Sequence, residues 1–300
     1  MSNSYPKQVR IVEVSPRDGL QNIKQNVSTD VKVTLINKLC NAGINDIEVT
    51  SFVSPKWVPQ MADAAEVLNQ LPSRDETSYI VLTPNLRGFD RAIESGAKEV
   101  AIFAAASETF SQKNTNCSIA ESLQRFEPIM LKAAELNIPV RGYTSCVLGC
   151  PYEGDIDVSE VVRVSKALID MGCYEVSLGD TIGIGTPTKA RDMISAVVHE
   201  VPAKKLSLHF HDTRGQALAN IFACLEYGVP NIDSSVAGLG GCPYAAGASG
   251  NVSTEDVVYM LHGMGIETGI DLEKLVAAGH YITAQVGGQN ISKIGAVYKN

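Results

Sequence analysis

Two periodicities run through this chain. Short runs of strand character, with apolar residues at alternate positions or in direct succession, lie at 8–14 (QVRIVEV), 45–51 (NDIEVTS), 78–83 (SYIVLT) and 98–104 (KEVAIFA). Four more follow at 138–144 (IPVRGYT), 173–179 (CYEVSLG), 206–211 (LSLHFH) and 230–236 (PNIDSSV). Between them apolar residues recur every three or four positions: Val31, Leu35 and Leu39; Val161, Val164, Leu168 and Met171; Leu218, Ile221, Phe222 and Leu225. The first spacing predicts strands and the second amphipathic helices.

The helix ends are marked as well. Asp157 with Glu160 predicts a capping box, and Thr186-Pro187 a cap followed by proline in the first turn. Gly43, Gly96, Gly172 and Gly228 each close a helical run, as glycine does after a last turn. Each is followed four residues later by a branched apolar residue of a strand: Ile47, Val100, Val176 and Ile232. Helix, glycine, turn and strand thus form a repeating unit. Eight strands alternating with about eight helices predict an α/β protein, a (β/α)8 TIM barrel of ~250 residues. The expected organisation is one catalytic domain, the barrel over about 8–264 and a C-terminal helical extension and tail over about 265–300, with its helix near 271–283. A doubly wound open sheet would need a glycine-rich phosphate turn after the first strand, and "SPRDGLQN" is not one.

Composition narrows the function classes. The formal charge is −8, with no Lys/Arg block, which argues against nucleic acid as a partner. No apolar run approaches the ~20 residues of a membrane helix. The amino-terminal "MSNSYPKQVR" lacks a signal-peptide core and the carboxyl-terminal "GAVYKN" is no peroxisomal or lipidation signal, so a cytoplasmic protein is expected. Seven cysteines, an odd number without a C-x-x-C pair, do not make a disulfide framework.

Barrel chemistry gathers where strands end and loops begin. Arg17 and Asp18 follow the first strand, Glu48 lies in the second, and Asp180 follows the sixth. His209 and His211 end the seventh, and the loop "AGLGGCPYAAGASGN" after the eighth carries Cys242 and Asn251. His209 and His211 share one strand face, directed at the barrel axis, while Leu208 and Phe210 face the helices. Paired imidazoles suit a divalent metal; the competing reading is two hydrogen-bonded barrel histidines. Asp18 can add a hard oxygen and Asn251 a carbonyl, a mixed set that suits Mg²⁺ or Mn²⁺ and leaves zinc possible. Glu48 can orient a ligand or form a structural ion pair, and Asp180 has the same two readings. Arg17 can stabilise an enolate or bridge to Asp18 or Glu48. Asp18-Gly19 resembles a hairpin turn, but the polar "LQNIKQNVSTD" after it leads into a helix capped near Ser28 or Thr29, so the stretch is a strand-to-helix connection.

The stretches "VSPRDGLQN", "IEVTSFVSPKWVPQMAD", "RGYTSCVLGCPYEG", "SLGDTIGIGTP", "LHFHDTRGQALAN" and "GLGGCPYAAGASGNVSTEDVVYML" resemble the 3-hydroxy-3-methylglutaryl-CoA lyases, from about residue 9 to 283. These belong to the TIM-barrel metallolyases. The resemblance implies Asp18, His209, His211 and Asn251 as ligands of Mg²⁺ or Mn²⁺. It implies Arg17, Asp18, Glu48, Asp180, His209 and Cys242 as the catalytic set, Asp18 or His209 taking the hydroxyl proton and Cys242 returning a proton to the enolate. The implied reaction is metal-dependent cleavage of (S)-3-hydroxy-3-methylglutaryl-CoA to acetyl-CoA and acetoacetate, as in leucine degradation, by a homodimer whose partner is the CoA thioester. A lyase for a longer 3-hydroxyglutaryl-CoA and a Claisen-type synthase are the alternatives. Arg214 stands where animal members carry tyrosine, and Phe210 where they carry cysteine. Cys242 is the last cysteine, so their regulatory carboxyl-terminal cysteine has no counterpart, and a bacterial type is expected.

Overall fold

The computed structural model describes residues 5–241 and 250–298. Eight strands pair in parallel in chain order: β1 (Arg10–Glu13), β2 (Asp46–Ser51), β3 (Ser78–Leu82), β4 (Glu99–Ala105), β5 (Val140–Ser145), β6 (Glu175–Asp180), β7 (Leu206–Phe210) and β8 (Asn231–Ser234). β8 pairs back onto β1 and closes the barrel. Each lies within or one residue beyond its expected run.

The helices are α1 (Thr29–Asn41), α2 (Ala64–Gln70), α3 (Leu86–Glu94), α4 (Glu108–Thr115), α5 (Ile119–Leu136), α6 (Val158–Asp170), α7 (Pro187–Glu200), α8 (Ala217–Leu225), α9 (Thr254–Gly263), α10 (Leu272–Val286) and α11 (Lys293–Val297). α4 and α5 both follow β4, where the repeat called for one helix. α10 covers the helix expected near 271–283 and packs on α1. None of the described helices is long and apolar enough to cross a membrane.

The glycines behave as their positions require. Gly43, Gly96, Gly172 and Gly228 have φ of +94, +87, +111 and +79°, the left-handed turn that lets each chain leave its helix. Ser28 caps α1 by accepting from Val31 N, and Asp157 caps α6 by accepting from Ser159 N. The box predicted at Asp157 does not close, because Glu160 pairs with Arg163 one turn on. The reciprocal box is at Ser118 and Glu121, ahead of α5.

Strand alternation sorts the side chains into two environments. Ile11, Ile47, Val100, Val176, Leu208 and Ile232 face outward into the layer shared with the helices. Inside, a small apolar cluster of Val12, Val14, Ile80, Ala101 and Tyr143 is all that resembles the usual branched filling. Arg10, Glu48, Glu99, Arg141, Glu175 and Asp233 supply much of the rest. A charge without water must be paired, so the barrel axis is a network of ion pairs. Regular alternation along β2 breaks at Thr50. The register with β3 slips between Glu48 and Thr50, and the Thr50 hydroxyl turns to Met61 Sδ at 3.8 Å.

Candidate active site

The chain leaves β1 through one π-helical turn, Ser15–Gly19. The Val14 carbonyl accepts from Arg17 N at 3.2 Å, Asp18 N at 2.8 Å and Gly19 N at 3.1 Å. This winding projects Arg17 and Asp18 over the barrel mouth, and Asp-Gly starts no hairpin. Gly19 is required by close approach: a Cβ there would lie 2.8 Å from Ser235 Oγ and 3.0 Å from Leu239 Cβ.

Arg17 is held at two nitrogens. Nε donates to Glu48 Oε2 and Nη1 to Asp18 Oδ1, both at 2.7 Å. Asp18 Oδ2 accepts from Asn251 Nδ2 at 2.7 Å and lies 3.8 Å from His209 Nε2. Asn251 is placed by the segment beyond β7, where Asp212 N donates to Gly250 O at 2.7 Å and Val252 N to Phe210 O at 3.2 Å. The residue expected to offer its carbonyl therefore shows its amide nitrogen to Asp18; a half-turn of the amide presents Oδ1 there instead.

One ligand atom each from Asp18, His209 and His211 lie within 4.8 Å of one another. His211 Nδ1 is buried and has no hydrogen-bond partner among the described residues. A buried orphan of this kind is rare and calls for a ligand, and two imidazoles with a hard carboxylate match a divalent cation. The charges agree. Burial disfavours the Asp18 carboxylate, but Arg17, then His209 and His211, outweigh it and hold its pKa below the ordinary carboxylate range. Burial and the neighbouring His209 push His211 down to about 4, leaving a neutral imidazole free to donate its lone pair.

Asp180, for which a catalytic and a structural reading were both open, ends β6 on the face of Val176 and Leu178, away from the axis. Oδ1 accepts from Ile184 N at 3.1 Å and Oδ2 from Gly185 N at 2.9 Å, so the carboxylate shapes the loop after β6 and does not join the trio. Burial raises its pKa. Cys242 lies outside the described residues. Arg214, at the rim, ties the β6 and β7 loops by donating to Ile182 O at 2.9 Å and Gly183 O at 3.1 Å.

Reading the sequence missed what lies beneath the trio. Asp233 of β8 accepts from His209 Nδ1 at 3.2 Å, and Arg141 of β5 donates to it through Nη2 at 2.6 Å and Nη1 at 3.0 Å. The signal was there: Asn231 and Asp233 alternate with Ile232, and Arg141 and Tyr143 with Gly142, so both charges fall on inward faces.

A closed parallel barrel with an Asp-His-His cluster at the mouth, backed by a guanidinium, defines a TIM-barrel enzyme whose site fits a divalent cation. The HMGL-like family model matches residues 8–282, and the chain belongs to that family. It is 60% identical over 292 residues to the mitochondrial hydroxymethylglutaryl-CoA lyase of Macaca fascicularis, covering 97% of this chain and 90% of that protein. The solved hydroxymethylglutaryl-CoA lyase of Pseudomonas aeruginosa superposes with a TM-score of 0.96 at 57% identity, covering 98% of each chain. A further solved relative, an HMG-CoA lyase of Acinetobacter baumannii in complex with coenzyme A and 3-methylmalate, gives 0.93 at 36% identity, covering 99% of this chain and 97% of that one.

Proposed function

We propose that this protein is a carbon–carbon lyase that cleaves 3-hydroxy-3-methylglutaryl-CoA to acetyl-CoA and acetoacetate. The observation that carries the reading is the Asp18, His209 and His211 cluster packed against Arg17. The hydroxymethylglutaryl-CoA lyase names of its relatives support the substrate.

Asp18, His209, His211 and Asn251 are the residues that would hold Mg²⁺ or Mn²⁺, which when bound would supply Lewis-acid polarisation of substrate oxygens. The tertiary hydroxyl must lose its proton as the C2–C3 bond breaks. Asp18 and His209 are the two candidate acceptors for that proton. The electron pair of the broken bond passes to the thioester as an enolate. Arg17 is aimed at that charge, because Glu48 and Asp18 clamp two of its nitrogens and leave Nη2 without a bond among the described residues. Cys242 returns the proton to C2, a role that rests on the motif it shares with the family. Asp180 acts by holding the loop after β6. The proposal extends to one cytoplasmic catalytic domain working as a homodimer on a small CoA thioester, without nucleic acid or membrane.

The test is direct. The purified protein is incubated with the CoA ester and Mg²⁺ or Mn²⁺, and acetoacetate is assayed with and without EDTA. Acetoacetate release that EDTA abolishes and added metal restores is expected. No product under any divalent metal sinks the reading.

A further inference from the structure

We propose that Asp233 is a positioning residue for the metal cluster. It fixes His209 in one tautomer and one ring orientation, with Nδ1 protonated and Nε2 turned toward Asp18 as the ligating atom. The inference rests on the metal reading above and adds to it a residue that touches neither metal nor substrate.

Asp233 is 1% exposed, and every described partner of its carboxylate is a donor. Oδ1 accepts from Arg141 Nη2 and from Ser207 Oγ, both at 2.6 Å. Oδ2 accepts from Arg141 Nη1 at 3.0 Å, from Ser177 Oγ at 2.8 Å and from His209 Nδ1 at 3.2 Å. An ionised carboxylate can only accept, so the proton between Asp233 and His209 belongs to Nδ1. A neutral imidazole has one N–H, which leaves the lone pair on Nε2, the atom 3.8 Å from Asp18 Oδ2.

The carboxylate cannot turn away from this task. Arg141 is itself held from other sides: Nε donates to Glu175 Oε1 at 2.8 Å and Nη1 also donates to the Tyr143 hydroxyl at 2.8 Å. Four elements thereby lock Asp233: β5 through Arg141, β6 through Ser177, β7 through Ser207 and β8 through its own backbone. The Tyr143 ring stands edge-on to His209, with centroids 6.0 Å apart and an interplanar angle of 89°, and limits rotation of the imidazole from another side. Among the described residues His211 has no such partner, since its Nδ1 is bare. The two histidines are therefore unequal: one is oriented in advance, the other is oriented by what it binds.

A carboxylate behind a ligating histidine typically contributes about 10- to 100-fold in metal affinity. The variant is Asp233→Asn in the full chain, in which an NH₂ must face a ring of donors. Folding is checked by circular dichroism, Mn²⁺ binding by the EPR signal of free Mn²⁺, and steady-state kinetics follow at rising Mn²⁺. The expected result is Mn²⁺ affinity about tenfold or more weaker, KM for the CoA ester within about twofold, and turnover recovering part of its loss at high Mn²⁺. A folded variant with Mn²⁺ affinity within twofold of the parent overturns the proposal and leaves Asp233 as the ion-pair partner of Arg141 alone. Should Asp233→Asn not fold, the unsubstituted metal-free protein decides. Its ¹⁵N-histidine NMR spectrum, recorded where the rings are neutral and assigned by comparison with His209→Gln, is expected to show Nδ1–H and a bare Nε2 for His209; Nε2–H overturns the proposal. Failure of the parent protein to bind Mn²⁺ at all would instead remove the metal reading, while the tautomer would still be measured.

Discussion

The two ends of the barrel hold charges in opposite ways. At the amino-terminal end, Arg10 donates to Asp46 at 2.7 Å, to Asn231 at 3.1 Å and to Glu175, while Glu99 accepts from Ser78 and Tyr174. None of Arg10, Asp46, Glu99, Arg141 or Glu175 leaves a buried polar atom unpaired. At the carboxyl-terminal end, Ser15 Oγ, Glu48 Oε1 and His211 Nδ1 are buried without partners among the described residues. Each such orphan costs about 1–3 kcal/mol. One end is closed on itself and contributes to stability. The other keeps unpaired polar atoms among the described residues, as a ligand site would. The difference separates fold from chemistry along a single axis, as is general in this architecture.

Three outcomes would break or sharpen that contrast. The largest effect is expected from Asp18→Asn. It removes the hard oxygen of the cluster and should lower kcat by roughly a thousand-fold, equivalent to about 4 kcal/mol of lost transition-state stabilisation. Its melting temperature should stay close to that of the parent, because the amide keeps the shape and one acceptor for Arg17. A variant that melts early in proportion to its lost activity would place the stabilising charges at the wrong end. Next, Arg10→Met strips the lower ion pairs of their shared cation. About 2–4 kcal/mol of unfolding free energy in urea should disappear, toward the low end of what a broken buried pair costs because Arg10 is partly exposed. The kcat of the remaining folded enzyme should hold within about twofold; a collapse of kcat without lost stability would show that the lower network serves catalysis.

The smallest effect concerns pH. The folded state holds His211 near 4, below its ordinary 6.5. Between these values the unfolded chain carries the proton and the folded one does not, so stability from this group is complete above about 6.5 and is lost as pH falls toward 4. In chelator-treated protein, the difference in unfolding free energy between parent and His211→Gln should shift in favour of the variant through that window. The slope is at most about 1.4 kcal/mol per pH unit. A flat difference would mean that the bare imidazole is not isolated in the folded protein.

Much of this was legible before the structure. Period-two runs located all eight strands, and the four helix-ending glycines revealed the repeat, because both signals arise from contacts within a few residues. Arg17, Asp18, His209, His211 and Asn251 were also readable, since reactive residues at strand ends point to one mouth once the barrel is assumed. Local pattern failed to show the β2–β3 register slip between Glu48 and Thr50, and to choose between the two readings of Asp180, whose carboxylate braces a loop. It failed at Asp233 too: two inward charges from β5 and β8 were visible, but not that they meet.

Strand periods, helix caps and the residue types available for chemistry are properties of neighbouring residues, and the chain states them directly. Which charge faces which is another matter. The Arg17–Glu48 pair spans 31 positions, Arg141–Asp233 spans 92 and Asp18–Asn251 spans 233. Those pairings depend on the stagger with which eight strands close, and a shift of one residue would turn every inward side chain outward. The closed barrel therefore decides that Arg17 is clamped by Glu48 and Asp18, that Asp233 stands behind His209, and that His211 is left with a bare nitrogen.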